Sequence, residues 1–330
     1  MPFKEILHKF WGYSAFRPMQ ESIIQSVYDG KDTLAILPTG GGKSITFQVP
    51  ALAMDGICIV VSPLIALMQD QVQNLVKRGI KALFLHSGLS KNEIEISLNN
   101  AIFGGYKFLY LSPERVGTDL FQHRAKDMKI NLVAIDEAHC ISQWGYDFRP
   151  SYLNLGFFKD NFGDVPVLAL TATATPAVAK DICEKLALEK PVVVKSAVER
   201  ANLYFFVKHT EDKKQGLKDY LSKPRGSGIV YVRNRKSTRE VAEFLSANGI
   251  AADFYHAGLG HDTRKQKQQA WTQGKNTIVV ATNAFGMGID KPDVRFVVHL
   301  DIPQSLEEYY QEAGRAGRDN KNGPWAINAY

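Results

Sequence analysis

Short apolar runs alternate with amphipathic stretches along the chain: Thr33 to Leu37, Ile57 to Val61, Ala82 to Leu85, Phe108 to Leu111, Leu132 to Ile135 and Val167 to Leu170. Strands alternating with helices in this way predict an α/β fold built on a mostly parallel sheet. The pattern weakens around Glu189 to Asn202, then resumes with Gly228 to Val232, Ala251 to Tyr255, Thr277 to Ala281 and Phe296 to Leu300. The break divides the chain into two expected lobes, residues 1–196 and 197–330, with a cleft between them. There is no short-period repeat and no low-complexity tract, so solenoids and tail-like linkers are not expected.

Composition narrows the class. The 330 residues exceed one typical domain, and each lobe is long enough to bury its own core. With 45% hydrophobic and 22% charged residues, disordered and fibrous classes are set aside. The apolar runs are too short to cross a bilayer and the N-terminus has no signal-peptide pattern, so a cytoplasmic protein without membrane association is expected. The three cysteines, Cys58, Cys140 and Cys183, are dispersed without a CxxC pair, which argues against disulfides and structural zinc. The net charge of +6 is divided unevenly. Residues 1–196 carry 20 Lys+Arg against 19 Asp+Glu, and residues 197–330 carry 20 against 15, so the second lobe is the more basic.

The most specific chemistry lies where strands end. In LPTGGGKS, residues 37–44, Gly40, Gly41 and Gly42 allow backbone N–H groups to close around phosphate oxygens. Lys43 supplies a point charge and Ser44 a magnesium ligand at the helix start. Leu37 occupies the first glycine position of the full pattern, and a glycine turn with a chance Lys-Ser is the plainer alternative. Asp136 and Glu137 weaken that alternative. They follow the buried-strand run Leu132 to Ile135, and a phosphate loop needs a second strand-end acid for magnesium and a carboxylate to activate water.

In QEAGRAGRD, residues 311–319, a helical reading puts Gln311, Arg315 and Arg318 on one face. Gly314 and Gly317 weaken such a helix, which makes sense where another backbone or ligand approaches. Either the two arginines reach phosphates bound on the first lobe, or they form a solvated basic face. DEAHCISQWGYDFRPSY, residues 136–152, crowds Trp144, Tyr146, Phe148 and Tyr152 behind the acidic pair, as core or as a sensor for a second ligand. Tyr152, beyond the loop, is the one most expected in the core.

Taken together, FWGYSAFRPMQ, PTGGGKS, VVSPLIALMQDQV, YLSPERV, DEAHCISQWGYDFRPSY, LTATAT, ATNAFGMGIDKPDVRFVVH and QEAGRAGRD resemble the superfamily-two helicases, and more closely the RecQ family of DNA helicases, over nearly the whole chain. The resemblance implies two RecA-like P-loop NTPase lobes, each a mostly parallel sheet flanked by helices, with a nucleotide cleft between them. It implies ATP and magnesium as cofactors, and single-stranded and partly duplex DNA as partner, walked 3′ to 5′ in repair and recombination.

Residue by residue, the resemblance makes Tyr13, Arg17 and Gln20 the adenine-reading motif and places Thr39 with the phosphate loop. Thr171 and Thr173 would link hydrolysis to lobe movement, Asp290 would approach the nucleotide, and Trp144, Phe148 and Arg149 would hold DNA. Plainer alternatives stay open: a turn before a helix at Arg17-Pro18, and a β-branched strand end at TATAT. Tyr146 stands where many family members have histidine. The chain as given ends at Tyr330, whereas typical members continue into a zinc module, a winged helix and often a further helical domain. An ATPase stimulated by DNA, with short-range unwinding, is therefore expected. The other readings are an ATP-gated clamp or annealing factor and an RNA helicase.

Overall fold

The computed structural model describes residues 2–38, 40–86, 88–144, 147–196, 200, 202–223, 226–285, 291–319 and 325–329. The chain divides into two compact units, Met1–Val198 and Glu199–Tyr330. The first contains β1 (Thr33–Ile36), β2 (Ile57–Val61), β3 (Ala82–Leu85), β4 (Phe108–Leu111), β5 (Ile130–Ile135), β6 (Val167–Thr171) and β7 (Val192–Lys195), in sheet order β3-β4-β2-β5-β6-β1-β7. The second contains β8 (Tyr204–Lys208), β9 (Ser227–Tyr231), β10 (Ala252–Tyr255), β11 (Ile278–Ala281), β12 (Val294–His299) and β13 (Trp325–Ala329), in order β10-β11-β9-β12-β13-β8. Every strand pairing among the described residues is parallel.

Parallel strands need crossover helices, and those helices bury both faces of the sheet, which is why the strands read as unbroken apolar runs. In the first unit Leu34, Ile36, Ile59 and Val61 pack toward Ile94, Leu98 and Ile182, while Ala35, Val60 and Leu170 pack toward Ile23, Phe47 and Met68. In the second, Ile229, Val279 and Val297 join Trp271 and Phe285, and Val230, Val280 and Val298 join Leu217, Val241 and Leu245. Helix starts carry legible signals. Ser90 and Glu93 form a reciprocal capping box before Lys91–Phe103, and Thr175 caps Pro176–Lys185 with proline at its first position.

Three strands lie outside the apolar runs read from the sequence, although Val192–Lys195 and Tyr204–Lys208 are themselves mostly apolar. β7 alternates half-buried and exposed positions, all of β8 is exposed, and β13 follows a polar, glycine-containing stretch. β7 and β8 lie at sheet edges, where burial on two faces is not required. No helix among the described residues is long and apolar enough to cross a membrane.

Asp32, just before β1, fastens the first sheet at its amino end. Its Oδ1 accepts from Val167 N–H at 2.9 Å, its Oδ2 accepts from Glu189 N–H at 2.9 Å, and Lys159 Nζ lies 2.8 Å from the same Oδ2. Asp32→Ala strands two amides and a largely buried ammonium, and is expected to cost about 3–5 kcal/mol of unfolding free energy. Denaturant melts check this. A loss under about 1 kcal/mol would class the pair with surface ion pairs.

Candidate functional site

β1 leads into a turn through Gly40 (φ 79°) and Gly42 (φ 75°), left-handed conformations that suit glycine, and then into the helix Lys43–Ala53. A Cβ on Gly42 would also run into Gln20 Nε2. The helix N-terminus presents unpaired N–H groups and the positive end of its dipole, the ordinary setting for phosphate. Because the sheet is parallel, β5 ends on the same side as β1 and delivers Asp136 and Glu137 beside Lys43. Lys43 Nζ is 4.0 Å from Asp136 Oδ1 and 3.7 Å from Glu137 Oε1. The lysine and both acids singled out in the sequence therefore converge.

Asp136 is fixed by its own N–H on Val61 O at 2.8 Å and by the Glu137 N–H on Oδ1 at 3.0 Å. Burial pushes its pKa from 3.8 to about 6, with Lys43 opposing the rise and Glu137 adding to it. A magnesium ion suits this carboxylate together with the half-buried Ser44 hydroxyl beside Lys43, since both are hard oxygen donors. Glu137 adopts φ 49° and ψ 45°, a left-handed conformation that costs a non-glycine residue about 1–3 kcal/mol and marks a constrained functional turn.

The sequence reading overlooked His139, although its place two residues after Glu137 was a signal. Its Nδ1 lies 3.4 Å from Glu137 Oε2 and 3.0 Å from Thr171 Oγ1, and Thr171 Oγ1 in turn donates to Thr173 O at 3.0 Å. Burial lowers the His139 pKa, the nearby Glu137 charge notwithstanding. A chain of polar contacts thus runs from the acidic pair at β5 to the end of β6. His139, Cys140 and Asp147 also lie close enough to suggest a metal group. Asp147 Oδ2, however, accepts from Arg149 at 3.0 Å and His139 Nδ1 meets Thr171 Oγ1 at 3.0 Å, so these atoms already have uses.

The aromatics behind the acids separate by role. Tyr152 is fully buried, and its hydroxyl donates to Asp136 O at 2.9 Å, so it is core and also braces the acidic turn. Trp144 is 79% exposed, which excludes a core role. Phe148 is half-buried with Lys185 Nζ 5.7 Å from its ring centroid, and Arg149 also donates to Pro63 O at 3.4 Å. Tyr146, Thr39 and Asp290 lie outside the described residues.

Gln20 departs from the base-reading expectation in the arrangement seen. Its Oε1 accepts from Arg17 N–H at 2.8 Å, and its Nε2 donates to Gly42 O at 3.0 Å and Gly41 O at 3.3 Å. Arg17 Nη1 donates to Gly40 O. Both side chains therefore hold the glycine loop, while the Tyr13 ring is exposed. In the second unit the helix Leu306–Ala313 ends before the arginines, and the chain continues through i to i−3 turns at Arg315 and Ala316 to Gly317 at φ 64°. The single helical face expected for Gln311, Arg315 and Arg318 thus stops at Ala313, because Gly314 and Gly317 release the helix. Arg315 is only 7% exposed, and Gln311 is also buried. Elsewhere in this unit, Lys267 and Arg239 lie over the Phe254 ring at 3.9 and 5.0 Å, a cation-rich patch that no sequence motif had marked.

The pattern of the DEAD/DEAH box helicases matches residues 17–182, which contain the glycine loop, the acidic pair and the threonine pair. The chain belongs to the DEAD/DEAH box helicase family. The helicase conserved C-terminal domain matches residues 212–320 of this helicase core. The chain is 46% identical to the ATP-dependent DNA helicase RecQ of Pasteurella multocida, over 96% of its own length and 50% of that protein. It is also 46% identical to the RecQ of Bacillus subtilis, over 96% and 54%. The resemblance to RecQ helicases read from the motifs therefore extends over the chain, which spans about half the length of the curated relatives it matches. Mycobacterium smegmatis helicase Lhr, solved with single-stranded DNA and AMP-PNP, superposes with a TM-score of 0.76 at 19% identity, over 96% of this chain and 46% of that one. The fold is accordingly two RecA-like helicase domains, each a parallel sheet flanked by helices.

Proposed function

We propose that the chain is the motor of a RecQ-type DNA helicase, hydrolysing ATP to move 3′ to 5′ on single-stranded DNA and separate duplex, in repair and recombination. The convergence of Lys43, Asp136 and Glu137 at the carboxyl end of one parallel sheet carries this reading. Lys43 and the loop N–H groups bind phosphate oxygens, and Ser44 and Asp136 would hold magnesium, which would supply charge neutralisation. Glu137 orients a water and takes its proton, and Arg315 with Arg318 stabilise charge that develops during hydrolysis. Thr39 and Asp290 are assigned to the same nucleotide, with Tyr13 against the base. Arg17 and Gln20 are assigned to it on binding, after exchanging loop carbonyls for the ligand.

Trp144, Phe148 and Arg149 face DNA, and the path through His139 to Thr171 and Thr173 reports strand occupancy to Glu137. The test is ATPase activity with and without single-stranded DNA, an RNA arm of equal length, and strand displacement in parallel. Stimulation by DNA with strand release supports the proposal. Stimulation without release selects the clamp or annealing factor, and stronger stimulation by RNA selects the RNA helicase.

Trp144→Ala separates sensing from stability. Because the side chain is exposed, the variant should melt with the parent and lose about 1–3 kcal/mol of contact with single-stranded DNA. Its ATPase should answer weakly to DNA at concentrations that saturate the parent. A parental response would remove Trp144 from the DNA path.

A further inference from the structure

The turn that carries Arg315 and Arg318 is held by residues outside every motif assigned so far. Arg200 stands where the chain enters the second unit, just ahead of β8. Its Nη1 donates to Gly314 O at 3.2 Å, and its Nη2 donates to Ala316 O at 2.9 Å and Gly317 O at 2.7 Å. Asn202 Nδ2 donates to Gly317 O at 2.8 Å, and Asn202 Oδ1 accepts from Arg200 Nε at 3.3 Å. The helix Leu306–Ala313 has just ended, so these carbonyls have lost their helical partners, and one planar guanidinium collects them where a lysine could not.

The Arg315 side chain is held from the sheet. Tyr231, at the end of β9, hydrogen-bonds Arg315 through its hydroxyl, which also donates to Phe285 O at 2.7 Å. The Tyr231 ring stacks at 5.5 Å on His299, its register partner on β12, and His299 Nε2 pairs with Glu312 Oε2 at 2.9 Å. A buried imidazole–carboxylate pair is poor evidence for stability alone, since an apolar pair of similar volume serves the core as well. Its place beside Arg315 suggests what it is kept for.

From this geometry we propose that Arg200 and Tyr231 are positioning residues for hydrolysis: Arg200 fixes the backbone of the arginine turn and Tyr231 fixes the Arg315 side chain. The inference rests on the role given to Arg315 above. It also gives Arg200 and Asn202, at the start of the second unit, a direct hold on the backbone that carries the arginines.

The test is steady-state ATPase with saturating single-stranded DNA on Arg200→Ala, Arg200→Lys, Tyr231→Phe, Arg315→Ala and the doubles Arg200→Ala/Arg315→Ala, Tyr231→Phe/Arg315→Ala and Arg315→Ala/Arg318→Ala, with thermal melts on each. Arg200→Ala and Tyr231→Phe should lower kcat about tenfold or more with KM for ATP within about twofold, and Arg200→Lys should recover little. The Tyr231→Phe/Arg315→Ala double should be no slower than Arg315→Ala alone, because partners in one interaction network are not additive. Arg200→Ala/Arg315→Ala should be slower than Arg315→Ala by the share that Arg200 contributes through Arg318, and no slower than Arg315→Ala/Arg318→Ala. Parental kcat in both single variants, losses that multiply in Tyr231→Phe/Arg315→Ala, or a lowered melt with parental kcat per folded molecule would each overturn the proposal. If Arg315→Ala is slow while the other two are not, only this inference fails. If Arg315→Ala keeps parental kcat, the role of Arg315 fails and this inference with it.

Discussion

Glu137→Gln is expected to bind ATP like the parent and to hydrolyse it at least about a hundredfold more slowly, the lower end of what a positioned general base contributes. The amide keeps the shape of the side chain, and removes its negative charge beside Lys43 and its ability to accept a proton. Lys43→Ala should fail differently. Its ammonium lies 4.0 and 3.7 Å from the two acids, so its removal takes charge from the phosphate site and also leaves two partly buried carboxylates facing each other. Loss of ATP affinity should therefore dominate in Lys43→Ala and be absent in Glu137→Gln. Equilibrium binding of a fluorescent ATP analogue, set beside single-turnover hydrolysis, separates the two. Equal loss of affinity in both would contradict the assigned roles.

Arg315→Ala and Arg318→Ala should leave nucleotide binding to the first unit nearly intact and slow hydrolysis by about 10³ or more. The structure distinguishes them. Arg315 is buried and bonded to Tyr231, which rules out a solvated face for it, so its variant should also lose thermal stability. Arg318 is half-exposed, and its variant should melt near the parent. Near-parental kcat in both would leave Arg315 a structural residue and Arg318 a surface one.

The first unit's apolar runs were legible because crossover helices cover both faces of its central strands, leaving no polar position to interrupt them. Tyr204–Lys208 shows the converse: its first four residues are apolar, yet the strand lies exposed at a sheet edge. It sits beside the stretch where the alternation of strands and helices weakens, and it was missed. Within the site, the glycine loop and the acidic pair were legible because each is a continuous stretch at a strand end. Contacts that join distant stretches were not: His139 meets Thr171 across 32 positions, and Arg200 meets Ala316 across 116. Gln20 shows a further limit. An amide that can read a base can equally well hold a loop carbonyl, and only the fold shows which partner it has taken.

The first sheet also sets an order of events during synthesis. β1 pairs only with β6 and β7, and Asp32 finds its amide partners 135 and 157 positions later. At about 5–20 residues per second, a nascent chain waits roughly 7 to 30 seconds between making β1 and making its neighbours. Through that interval the strand leading into the glycine loop has neither ladder partner, while β2, β3 and β4 already have one another. Within the first unit the phosphate loop is therefore among the last parts to take shape, although it lies near the beginning of the chain. Nucleotide cannot template the early steps, and it acts only by mass action on a unit that has already closed.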